Sequence, residues 1–149
     1  MPRRSADTAP GAVTSTVEVR VPFYDTDAMG VVHHARYVHY LELARVRLLE
    51  EHHRPYTDYV ERGLHFAVTR LGLDYHRGVG FDARLAVTAW LTWVRGASLG
   101  VGYAITENGT PVITAMTEHA LVDRAGRPRR IPLEDRRGLQ KLVAPGQPG

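Results

Sequence analysis

The sequence contains no cysteine, which excludes disulfides, thiolate metal sites and a cysteine nucleophile. It has a single lysine, Lys141, among 19 basic residues, so its positive charge is carried almost wholly by arginine. Those arginines are scattered; the densest group is Arg124, Arg127, Arg129 and Arg130, and no long basic stripe of the kind that tracks a nucleic acid is present. No apolar run reaches the roughly 18 residues of a membrane-spanning helix, and no signal-peptide core follows Arg3-Arg4. The expectation is a cytoplasmic protein without a membrane span. Gly96-Ala-Ser98-Leu-Gly100 lacks the strand-to-helix context that a serine nucleophile requires.

What is present fits one ordinary globular domain. The chain has 149 residues, 44% hydrophobic and 23% charged, with a formal net charge of +3. Residues 1–12 and 143–149 are small, polar and rich in Pro and Gly and are expected to be disordered tails; 13–142 is expected to be the folded domain. Val13 to Phe23 alternates as a strand, with Pro22 ending it. A polar turn and a helix from near His34 to about His53 follow, with Tyr37, Val38, Leu41, Ala44, Leu48 and Leu49 close to helical spacing. Arg54 to Gly63 is a connection with one helical turn around Tyr59. Strands are expected over His65–Tyr75, Ala83–Val94, Leu99–Thr106 and Pro111–Val122, with Asn108-Gly109 a hairpin turn. A weak helix near Leu133 to Leu142 closes the chain. One long helix and five strands mostly joined by tight turns give an α+β layout, the helix burying its stripe on one sheet face. Trp90 and Trp93 would be left on the other face, which asks for a partner copy.

Chemistry concentrates before the long helix. No Ser, Thr, Asp or Asn occupies its expected N-cap among Val32, His33, His34 and Ala35. Its first N–H groups are either met from upstream by Asp27 acting as a remote cap, or left free for an anion or a polarised carbonyl oxygen.

The stretch Tyr24-Asp-Thr-Asp-Ala-Met-Gly-Val-Val-His-His-Ala-Arg-Tyr37 resembles the signature of hotdog-fold acyl-CoA thioesterases, nearest to the 4-hydroxybenzoyl-CoA thioesterase and Tol-Pal-associated group. The likeness continues through Glu42-Leu-Ala-Arg45 and Arg95-Gly-Ala-Ser-Leu99 and covers about Val17 to Gly138. It implies a long central helix wrapped by a curved antiparallel sheet of about five strands, assembled as a homodimer or homotetramer. It also implies hydrolysis of an acyl-CoA or acyl-carrier-protein thioester without a cofactor or metal. Residue by residue, it carries the catalytic aspartate onto Asp27, as nucleophile or general base, and the carbonyl-polarising backbone N–H onto His34. Substrate contacts fall on Val32, His33 and Arg95, the last toward the phosphates of coenzyme A. The chain departs from the pattern at Phe23, His33 and Arg36, where Tyr, an aromatic, and Asn or Ser are usual; these departures bear on substrate choice.

Competing readings are weaker. His33, His34 and His39 lack the i, i+4 spacing that would aim two imidazoles at one metal. Asp25 reads as a structural turn residue, and Glu42 with Arg45 as a helix pair or subunit anchor. The alternative function is a catalytically idle hotdog module that binds acyl groups or mediates assembly.

Overall fold

The computed structural model describes residues 11–145; residues 1–10 and 146–149, the greater part of the expected tails, lie outside the described residues. The element order is β1 (Thr14–Arg20), α1 (Tyr37–His52), α2 (Tyr56–Glu61), β2 (Leu64–Tyr75), β3 (Arg84–Val94), β4 (Ser98–Glu107), β5 (Thr110–Asp123) and α3 (Leu133–Gln140). The strands form one antiparallel sheet in the order β1-β3-β4-β5-β2, so β1 and β2 are its edges.

Helix α1 lies across the sheet because its stripe is apolar where the strands alternate. Leu41, Ala44 and Leu48 are fully buried together with Leu85, Val87 and Ala89 of β3. Tyr40 joins this stripe, and Val38 is only half-buried. At about 1.5 Å per residue the helix is ~24 Å long, shorter than the 11-residue β3 at about 3.3 Å per residue.

Two irregularities change which side chains face the core. A bulge between Leu91 and Trp93 puts Val94 inside and leaves Trp93 half-exposed, and a second between Val68 and Arg70 breaks the expected alternation of β2. Trp90 is covered within the chain: its ring lies against Gly102 of β4, where an added Cβ would fall 2.7 Å from the indole. It therefore supplies no argument for a partner copy. The edge β2 does leave Val68, Leu71 and Tyr75 exposed. Among the described residues, no helix is long and apolar enough to cross a membrane.

Helix α3 is tied down by a buried carboxylate. Asp135 accepts from Arg62 Nη2 at 2.8 Å and Arg54 Nη2 at 3.1 Å, while His53, 3.8 Å away, contacts the Tyr59 hydroxyl at 2.7 Å. Burial pushes the Asp135 carboxyl up, but hydrogen bonds from Arg62 and Tyr59 and the two guanidinium charges outweigh it and hold it below the usual range.

Candidate active site

After β1 and Pro22 the chain makes a single 3-10 turn, Phe23–Asp25, closed by Thr26 N–H and Oγ1 donating to the Phe23 carbonyl. It then doubles back as a tight hairpin. His33 N–H donates to the Asp25 carbonyl at 2.8 Å, Asp27 N–H to Val31 at 2.9 Å, and Gly30 N–H to Asp27 at 2.9 Å. Gly30 has φ +80°, a conformation that side-chain-bearing residues rarely adopt, which accounts for glycine at the tip. The returning arm is fixed to the segment between β2 and β3, where Val32 N–H donates to the Val79 carbonyl and Val31 bridges Gly80.

The two carboxylates of this hairpin do different things. Asp25 is buried and accepts a 2.6 Å hydrogen bond from the Tyr40 hydroxyl of α1, with Arg36 Nε 3.8 Å away. It fastens the hairpin to the helix, in line with its reading as a structural residue. Burial, followed by the hydrogen bond to Asp25, raises the Tyr40 phenol well above its ordinary value. Asp27 is half-buried, and its Oδ1 accepts Met29 N–H at 2.8 Å. That bond orients the carboxylate, and Oδ2 has no partner among the described residues. Asp27 therefore does not cap α1.

The helix begins three residues later than expected. His34, Ala35 and Arg36 form a turn, and α1 starts at Tyr37 with Arg36 at the N-cap and no side-chain cap. In this turn His33 O accepts Arg36 N–H at 2.9 Å, and His34 O accepts from the Tyr75 hydroxyl of β2 at 2.9 Å. His34 N–H is thus a turn donor just before the helix, not the first helical N–H. Among the described residues it has no acceptor.

Of the residues expected in the site, the hairpin brings Asp27, Val32, His33 and His34 into one short segment. Val32 is buried in the core. His33 stacks on His34 with ring centroids 4.1 Å apart, and its Nδ1 accepts Ala35 N–H at 3.2 Å. Arg95 is not brought to them. Asp27 follows β1, whose end at Arg20 pairs with Arg84 at the start of β3, whereas Arg95 follows the end of β3. The two lie roughly 30 Å apart along the sheet within one chain. Arg95 instead rests its guanidinium 4.6 Å above the Trp93 ring. The sequence reading missed Tyr40 and Tyr75 as the groups that fix this segment; spacing of three from Tyr37 was the available signal for Tyr40.

One cavity borders the segment and a second lies elsewhere under α1. One, of about 280 Å³, is lined by Tyr24, Thr26, His33, Ala35, Arg36 and His39. The other, about 60 Å³, lies under the second half of α1 near Arg45, Leu49, Phe66 and His119, away from Asp27. It has room for only a few water molecules at roughly 30 Å³ each.

A lone long helix laid across a five-stranded antiparallel sheet, with a polar hairpin before the helix, defines the hotdog class. The thioesterase-like superfamily profile matches residues 21–142, and the chain belongs to that family. It is 37% identical over 81 residues to the acyl-CoA thioester hydrolase YbgC of Escherichia coli, 54% of this chain and 60% of that protein. The chain thus spans about 60% of the length of that relative. With the acyl-CoA thioesterase YbgC of Haemophilus influenzae the identity is 36% over 106 residues, 70% of this chain and 78% of the relative. A hypothetical protein of Thermus thermophilus superposes with a TM-score of 0.82 at 33% identity, over 87% of this chain and 98% of its own.

Proposed function

We infer that the protein hydrolyses acyl-CoA thioesters to the free acid and coenzyme A, with Asp27 and the His34 N–H as the reacting machinery. The observation that carries this reading is the Asp25–His33 hairpin. It orients one oxygen of Asp27 through Met29, leaves the other unengaged, and sets the unengaged His34 N–H just beyond the opposing arm.

A thioester carbonyl placed on the His34 N–H is polarised, and the same donor meets the oxyanion as it forms. Asp27 then acts in one of two ways. As nucleophile, its oxygen bonds to the carbonyl carbon, the C–S bond breaks, coenzyme A leaves as thiolate, and water hydrolyses the mixed anhydride. As base, it takes a proton from a water that attacks the same carbon, with the same leaving group. A thioester is already activated, so neither route needs a strongly perturbed carboxylate. The names of the curated relatives support the acyl-CoA substrate.

The assembly belongs to the same reading. Pairing β2 with the β2 of a second copy in antiparallel fashion would cover Val68, Leu71 and Tyr75 and join the two sheets. It would also set the Leu64 end of one copy beside the Tyr75 end of the other. Leu64 pairs with Asp123, and Ala120 with Ser98, so Arg95 travels with that end. In such a dimer Arg95 of one copy approaches the Asp27 hairpin of the other, where the phosphates of coenzyme A would leave the site.

The test is a panel of acyl-CoAs with a thiol-trapping reagent that reports released coenzyme A. Catalysed release from at least one of them is expected. Binding of acyl-CoA without release from any of them would mark an idle acyl-binding module.

A further inference from the structure

The cleft beside the hairpin has a chemistry that the hydrolytic reaction does not use. Three of its six lining residues, His33, Arg36 and His39, carry nitrogen donors, and no carboxylate lines it. Two of its residues adjoin the reacting machinery in sequence: Thr26 precedes Asp27, and His33 precedes His34.

Each donor is available. His33 Nδ1 accepts the Ala35 N–H, so the neutral ring carries its proton on Nε2, which has no partner among the described residues. Arg36 is half exposed, at 47% of its side-chain surface, and its nearest carboxylate, Asp25, is a loose 3.8 Å away. Asp25 is itself turned inward to the 2.6 Å bond from Tyr40. His39 is exposed and has no side-chain partner among the described residues. The first turn of α1 contains no acidic residue. An oxyanion entering this cleft therefore meets a guanidinium and imidazole N–H donors without displacing an established tight pair.

We propose that this cleft selects acyl thioesters whose acyl group ends in a carboxylate, a dicarboxylic half-thioester, which it holds on Arg36 with His33 and His39. The proposal rests on the thioesterase reading and names its substrate class. The placement of the cleft along the chain argues for the acyl side: the phosphates of coenzyme A lie many bonds beyond the sulfur, at the end of the pantetheine arm, whereas His33 and Ala35 of this cleft are the two chain neighbours of His34.

The experiment compares kcat/KM for glutaryl-CoA and pentanoyl-CoA, equal in carbon count, and repeats the comparison with their N-acetylcysteamine thioesters, which lack phosphate. The wild type is expected to prefer glutaryl by about tenfold or more with both carriers, the size of one charge-assisted hydrogen bond. Arg36→Gln should collapse that ratio mainly through KM, and Arg36→Lys should restore part of it. Wild-type hydrolysis of both esters with no preference would overturn the proposal and leave the thioesterase reading standing. An Arg36→Gln effect equal for both acyl groups and seen only with coenzyme A would overturn it too, assigning the cleft to a carrier phosphate. No hydrolysis of either acyl group, with release from another acyl-CoA of the panel above, would overturn it as well, whereas no release from the whole panel would remove the thioesterase reading beneath it.

Discussion

His119 makes stability fall with acid in a window that the structure defines. Its ring is fully buried, with Nδ1 3.3 Å from the Phe66 carbonyl and Nε2 2.8 Å from Thr117 Oγ1. A carbonyl can only accept, so Nδ1 donates and Nε2 accepts from the Thr117 hydroxyl. Thr117 in turn accepts from Tyr103 at 2.7 Å, and Tyr103 accepts from Arg45 Nη1 at 3.1 Å. All donors point one way, from Arg45 to Phe66. A second proton on His119 would set its Nε2–H against the Thr117 hydroxyl proton, and the relay cannot turn round to relieve this because the Arg45 guanidinium at its other end only donates. Burial above all, and then the Arg45 charge, push the imidazole down from 6.5 to about 4. The unfolded chain takes up this proton near pH 6.5 and the folded chain only near pH 4. In between, the unfolded state binds more protons, and stability drops as pH falls. A separation of about 2.5 units at 1.36 kcal/mol each is about 3 kcal/mol in all, of which about 2.5 kcal/mol is lost by pH 4.5. Urea unfolding of wild type and His119→Gln at pH 7.5 and pH 4.5 isolates this contribution, because His53, also shifted down by burial, titrates in both proteins. The wild type should lose about 2.5 kcal/mol more than the variant across that range. Equal losses would refute the reasoning.

Asp135→Asn should cost about 2–4 kcal/mol, toward the low end because Arg54 and Arg62 keep 29% and 35% of their side-chain surface in water. Faster hydrogen exchange should appear first in α3, and a loss under about 0.5 kcal/mol would show that the carboxylate does not hold that helix. The edge pairing through β2 requires at least a dimer. Light scattering at micromolar concentration should give a mass of twice the chain's 16.6 kDa or more, and a mass near 16.6 kDa would exclude it.

The α+β order, the five strands and the long helix were legible because alternation in Leu85, Val87, Ala89 and Leu91 and helical spacing in Leu41, Ala44 and Leu48 are local properties. What escaped depended on partners distant in sequence. The helix starts at Tyr37 and not at His34, and the turn before it is held by the Tyr75 hydroxyl, 41 residues away, on the His34 carbonyl. The faces of β3 exchange after Leu91 because of a bulge, which periodicity cannot foresee. Asp25 and Asp27, two residues apart, were told apart in the sequence by the motif resemblance; the physical difference, the Tyr40 hydroxyl bonded to Asp25 and not to Asp27, lies in the fold. Arg95 was carried into the site by its motif, yet within one chain the strand order holds it at the far end of the sheet.

The role of Asp27 is tested most directly by Asp27→Asn. The amide oxygen can still accept the Met29 N–H, so the hairpin keeps its orienting bond while the charge that attacks carbon or activates water is gone. Purified variant with an unchanged unfolding midpoint should hydrolyse acyl-CoA about 10²–10⁴-fold more slowly than wild type, and more slowly still if Asp27 is the nucleophile. Wild-type turnover by the folded variant, free of host thioesterase, would contradict the account.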